Sequence, residues 1–207
     1  MSGSGYRWMT GGTDAPSWMR GRALPGYMMG STGDAGKVMG ALFADAPGAR
    51  VSPAIAARLG AQVPAGATAS RTRNRISFPG TSVRLVVLAS PSGGPAETFR
   101  IAGLVDPAIV VKAHAHVSIE VINADPDTAN GLVITAGGNT TSPMPMVTAS
   151  PAFPGSAVWF LGSPTPAGMH AATLSFTATT AGSYRYLCPV PGHAQEGMTG
   201  TFTVTST

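Results

Sequence analysis

Cysteine is nearly absent from this 207-residue chain: Cys188 stands alone. A single cysteine excludes an internal disulfide and leaves three roles: an inert buried thiol, a reactive thiol, or a metal ligand. Charge is scarce too, at 11% of residues, with a net charge of +4 and no dense Lys/Arg cluster. That argues against nucleic acid as a partner. Arg71, Arg73 and Arg75 read as a solvated linker rather than a phosphate site. No apolar run reaches the roughly 18 residues of a membrane-spanning helix, so a membrane tether, if there is one, lies outside this chain. The opening Met1-Ser-Gly-Ser-Gly has no charged segment leading into an apolar one. If the protein is exported, its leader or anchor is not in these residues. A Ser/His/Asp set, paired carboxylates and a phosphate-cradling glycine loop are also missing. No substrate is identified, and the chain is not expected to be an enzyme. Asp125-Pro126-Asp127 reads as a turn rather than a carboxylate pair.

What is plentiful is glycine and proline, 27 and 18 residues, within a chain that is 43% apolar. That combination predicts a folded protein of many turns rather than a disordered or long-helical one. Residues 1–75 read as an extension with two short helices and a linker. The first spans about Asp34–Ala46, on the spacing of Val38, Leu42 and the Met39/Phe43 pair. The second spans Pro53–Leu59, with Ser52 as N-cap, Pro53 at the first position and Gly60 as a stop. Residues 61–75 read as a connecting loop.

Residues 76–207 read as strands. They are predicted at Ser82–Ala89, Glu97–Ile101, Ala108–Val111, Val117–Asn123, Gly131–Thr135, Val158–Leu161, Ala171–Thr177, Gly182–Leu187 and Thr199–Val204. In Val117–Asn123 apolar and polar residues alternate, as on a half-buried strand. Short strands with turns between them predict an all-β, antiparallel sandwich or barrel. A long loop carrying Met144 and Met146 interrupts them, and these methionines are expected to form an apolar rim. Met9, Met19, Met28, Met29 and Met39 recur near Trp8, Trp18 and Tyr27, which suits packing of thioethers against aromatic rings. A Cu(I)-binding or docking segment is the sharper reading of the same pattern.

The chemistry concentrates in Tyr186-Leu-Cys-Pro-Val-Pro-Gly-His-Ala-Gln-Glu-Gly-Met198, a loop between two predicted strands. Cys188, His193 and Met198 offer a thiolate, an imidazole and a thioether at C-x4-H-x4-M spacing. Those donors together favour copper over hard ions such as Mg²⁺. Pro189 and Pro191 restrict the loop, and Gly192 can take a backbone conformation closed to other residues. Ligands held in place in this way change little between Cu(I) and Cu(II), which suits electron transfer.

The segment Ser183–Val204 closely resembles the last two strands and ligand loop of cupredoxins, and its spacing resembles the rusticyanin and sulfocyanin branch. The resemblance covers residues 76–207. It implies a Greek-key β-sandwich, type 1 copper, a transient redox partner protein and an extracytoplasmic location. Cys188, His193 and Met198 would match the thiolate, the second histidine and the axial ligand. The family's first histidine falls on Asn130, a poor copper ligand beside an imidazole. Four outcomes are open: copper held by three residues plus water or the Asn130 oxygen, preference for Cu(I), substitution by another histidine, or an empty site. His114 and His116 read as residues of a solvated turn, and His170 as a surface or supporting residue. Electron transfer is the leading expectation. Copper(I) storage or delivery, and small-molecule binding at an open copper site, are the alternatives.

Overall fold

The computed structural model describes residues 32–137, 142 and 145–206. Met9, Met19, Met28, Met29 and Met144, with the expectations attached to them, lie outside the described residues. In chain order the elements are α1 (Thr32–Phe43), β1 (Ala49–Val51), α2 (Pro53–Ala61), β2 (Thr68–Ser70), β3 (Arg75–Ser77), β4 (Ser82–Ala89), β5 (Phe99–Ile101), β6 (Leu104–Val105) and β7 (Ala108–Lys112). They continue with β8 (His116–Asn123), β9 (Asn130–Thr135), α3 (Pro145–Thr148), β10 (Ala157–Leu161), β11 (Met169–Thr177), β12 (Gly182–Leu187) and β13 (Thr199–Thr205).

The strands form two sheets, ordered β1-β11-β8-β4-β5-β6 and β10-β9-β12-β13-β7-β3-β2. Alternate residues of β4 and β8 point inward, as the apolar/polar alternation of Val117–Asn123 requires. Leu85, Val87, Ile119, Val121, Ile134 and Phe202 meet between the sheets. At roughly 1.5–3 kcal/mol per large side chain, this burial is the main term holding the layers together.

The pairing is mixed rather than purely antiparallel. β4 runs parallel to β8, and β7 runs parallel to both β13 and β3. Parallel neighbours cannot be joined by a tight turn, so chain-distant strands are brought side by side. Residues 61–75 contain the edge strand β2, and β1 pairs with β11, so segments preceding residue 76 contribute strands to both sheets.

Ser52 caps α2, its hydroxyl accepting from the Ile55 N–H at 3.4 Å, with Pro53 opening the helix. Gly60, however, lies inside α2, which ends at Ala61. A Cβ there would stand 2.2 Å from Leu88 Cδ1, so the glycine serves close packing rather than termination. Among the described residues no helix is long and apolar enough to cross a membrane.

Candidate metal centre

Two elements present the candidate donors. β9 begins at Asn130, and β12 leads into Cys188 before β13 returns the chain. Tyr186 fixes the base of this loop. Its ring is buried edge-on against Phe99 at 5.6 Å, and its hydroxyl donates to the Pro107 carbonyl at 2.7 Å.

The loop closes on itself through its own backbone. The Cys188 N–H donates to Met198 O at 3.1 Å and the Met198 N–H to His193 O at 2.9 Å. The amides of Gln195 and Glu196 both donate to Gly192 O. Gly192 has φ +87°, the left-handed conformation its position demands. Cys188 and Met198 are fully buried within one core cluster, and His193 is 5% exposed.

Asn130 meets this loop. Its Oδ1 lies 3.0 Å from His193 Nδ1 and 3.5 Å from Cys188 Sγ, and Sγ lies 3.5 Å from Nδ1. The amide orientation follows from the next residue outward. Asn123 Nδ2 donates to the carbonyls of Thr128, Leu161 and Gly162. Its Oδ1 is therefore the acceptor, taking the Asp125 N–H and Asn130 Nδ2. With its NH₂ committed there, Asn130 turns its carbonyl oxygen to the thiol and imidazole. The Asp125-Pro126-Asp127 turn is as expected: Asp125 Oδ1 accepts from the amides of Asp127 and Thr128.

Two features near His193 were not foreseen. Glu97 Oε2 approaches Nδ1 at 2.8 Å, without the geometry of a hydrogen bond. Burial disfavours the imidazolium, but the negative charges of Cys188 and Glu97 outweigh it and push the His193 pKa up to about 10. The second feature is α1, which lies over the ring. A Cβ on Gly36 would stand 2.8 Å from His193 Nε2 and 2.5 Å from Thr128 Cγ2. Gly36 O accepts from the Ala129 N–H and Gly40 O from the Ser163 N–H, so the glycine face of α1 docks directly on the strands framing the site. The Lys37–Asp127 ion pair beside it, at 3.0 Å, is exposed and adds little.

The other histidines have their partners elsewhere. His114 and His116 are exposed, His116 pairing with Thr177. His170 is neither a surface residue nor a partner of the site donors. It is 3% exposed, Nδ1 meeting Arg50 at 2.8 Å and Nε2 meeting Ala44 O at 2.7 Å. Burial, ahead of the adjacent Arg50, lowers its pKa. Met146 is 6% exposed, and its amide donates to Pro189 O at 3.0 Å. The segment that carries it is thereby tied to the ligand loop.

Glu97 and Asn123 left little trace in the sequence, one following a Gly-Gly-Pro-Ala turn, the other ending an apolar strand. The Gly36-x3-Gly40 spacing was the one signal of a helix face built for close approach. Among the described residues no three His, Cys, Asp or Glu side chains are already gathered in a metal-holding arrangement. Cys188, His193 and Met198 nonetheless supply donor types suited to copper, and the Asn130 oxygen faces two of them. The residues fit such an ion with one imidazole fewer than a two-histidine site.

No family model matches the chain. Rusticyanin of Acidithiobacillus ferrooxidans is 30% identical over 130 residues, covering 62% of this chain and 66% of that protein. Rusticyanin of Acidithiobacillus ferridurans is 30% identical over 126 residues, covering 60% and 64%. The chain thus spans a little under two thirds of the length of these relatives. The solved structure of reduced rusticyanin matches with a TM-score of 0.63 at 25% identity, over 76% of this chain and 97% of that one. The chain therefore has a cupredoxin-like β-sandwich fold and is similar in sequence to rusticyanin over 62% of its length.

Proposed function

We propose that the chain is a copper-binding, one-electron carrier with an altered type 1 site. Cys188 and His193 Nδ1 are the principal ligands, Met198 the weak thioether ligand, and the Asn130 oxygen takes the place of the second imidazole. Copper would supply the Cu(I)/Cu(II) couple. The chain's own residues hold the donors still, exclude water and fix which atom of Asn130 faces the ion. The observation that carries this reading is Asn130 Oδ1 at 3.0 Å from His193 Nδ1 and 3.5 Å from Cys188 Sγ. On this reading residues 76–207 are the copper module and residues 1–75 an N-terminal extension, whose described part contributes strands to both sheets. The partner is a redox protein met transiently, and the location is extracytoplasmic.

Copper(I) storage or delivery is the second reading. It is favoured by the single imidazole beside a thiolate and a thioether, donors that select Cu(I). Small-molecule binding at an open coordination position is a third. Titration with Cu(II) and Cu(I), followed by voltammetry, separates them. A carrier gives one equivalent of copper, a thiolate charge-transfer band and a reversible wave. Retention of Cu(I) without a reversible wave would transfer the assignment to storage. Absence of copper binding would defeat all three. Asn130→His is expected to tighten Cu(II) binding at least tenfold and to intensify the visible band, read by competition with a chelator and by absorption.

A further inference from the structure

We propose that Glu97 is a carboxylate ligand of the copper site, completing the donor set that Asn130 leaves one imidazole short. The inference rests on the copper reading above. Glu97 is held on a defined frame. The Thr98 hydroxyl donates to Pro95 O at 2.9 Å, the Ser90 N–H to Thr98 O at 2.8 Å, and the Phe99 N–H to Asp106 Oδ1 at 2.9 Å. Phe99, two residues on, is completely buried. Glu97 itself has φ +50°, a conformation uncommon for a residue other than glycine and costly unless the surroundings enforce it.

That frame delivers Oε2 to 2.8 Å from His193 Nδ1, the atom that also faces Cys188 Sγ at 3.5 Å and Asn130 Oδ1 at 3.0 Å. Oε2 is sealed from solvent and has no hydrogen-bond partner. A buried carboxylate oxygen is costly unless a cation meets it: in the metal-free protein that cation is a protonated His193, and in the loaded protein it would be the metal ion. The separate contacts share Nδ1 as their common atom, so exchange of a proton there for a metal ion joins sulfur, nitrogen and oxygen donors in one site.

The competing role for Glu97 is ion pairing with a protonated His193 in the metal-free protein. The two roles predict opposite signs. Metal-free wild type, Glu97→Gln and Glu97→Asp, each checked by near-ultraviolet circular dichroism, are titrated with Cu(II) and with Cu(I) against chelators. Absorption, electron paramagnetic resonance spectra and reduction potentials are recorded. A carboxylate is a hard donor and favours Cu(II). Glu97→Gln should therefore weaken Cu(II) binding tenfold or more, weaken Cu(I) binding less, alter the resonance spectrum and raise the potential. Glu97→Asp should retain part of the affinity. If Glu97→Gln binds Cu(II) as tightly as wild type or tighter, with an unchanged spectrum, the proposal is overturned while the copper reading stands. If wild type itself binds no copper, the copper reading fails and the proposal falls with it.

Discussion

Asn123 shows how one side chain can set the chemistry of another. It is completely buried and uses both amide hydrogens and its oxygen on five partners. Asn123→Ala would strand three carbonyls and free the Asn130 amide to rotate. The expected cost is about 2–4 kcal/mol, from the desolvation of unpaired groups. Urea unfolding measures it, and a heterogeneous copper spectrum would report the loosened Asn130. Asp106 tests a different residue-scale effect. Burial raises its carboxyl pKa from 3.8 to about 6, although the Phe99 amide bond opposes the shift. An acid with a raised folded pKa stabilises the fold below its unfolded value, and that contribution is lost as pH rises through the folded value. Asp106→Asn keeps the acceptor and tolerates the backbone at φ +44°. It should abolish the fall in stability between about pH 4 and 6 and leave the variant at least as stable as wild type at pH 7, by denaturant midpoints across that range.

Among the elements, α1 has the largest functional consequence. Its apolar periodicity at Val38, Met39, Leu42 and Phe43 was legible, and Met39 and Phe43 are indeed buried. Its position over the His193 ring was not legible, because helical periodicity states which face is buried and not what it is buried against. Gly36 and Gly40 carry that information only when the strands they touch are known. Gly36→Val must displace the helix from His193 and Thr128. The expected loss is about 1–3 kcal/mol for an overpacked contact, together with faster copper release to a chelator once the ring is uncovered. Unchanged release kinetics would show that α1 does not limit access. The loop between β12 and β13 contrasts with α1: its ligand spacing, prolines and Gly192 are contiguous, so its local conformation could be read directly from the chain.

For the molecule as a whole, the metal-free protein should depend on pH through His193. Its folded pKa of about 10 lies above the ordinary 6.5. A base with a raised folded pKa stabilises the fold fully below its unfolded value, and the contribution disappears as pH rises toward the folded one. Denaturant midpoints of the metal-free protein should therefore fall between about pH 6.5 and 10. Copper affinity should rise over the same interval, as the proton at Nδ1 competes less. His170 works in the opposite direction: its lowered pKa makes the buried contact with Arg50 and Ala44 weaken as the solution becomes acidic.

The sequence by itself determined the strand-rich fold and the Cys188, His193, Met198 loop, because alternation and turn chemistry are local and these three residues lie within eleven positions of one another. It also marked Asn130 as the residue standing where a histidine was expected. Tertiary structure decided the parallel pairing of β4 with β8 and of β7 with β13, the orientation of the Asn130 amide by Asn123, the cover of α1 over His193 and the approach of Glu97 to Nδ1. Each joins residues from distant parts of the chain, and no local pattern records which partner a buried polar group will find once the sheets close around it.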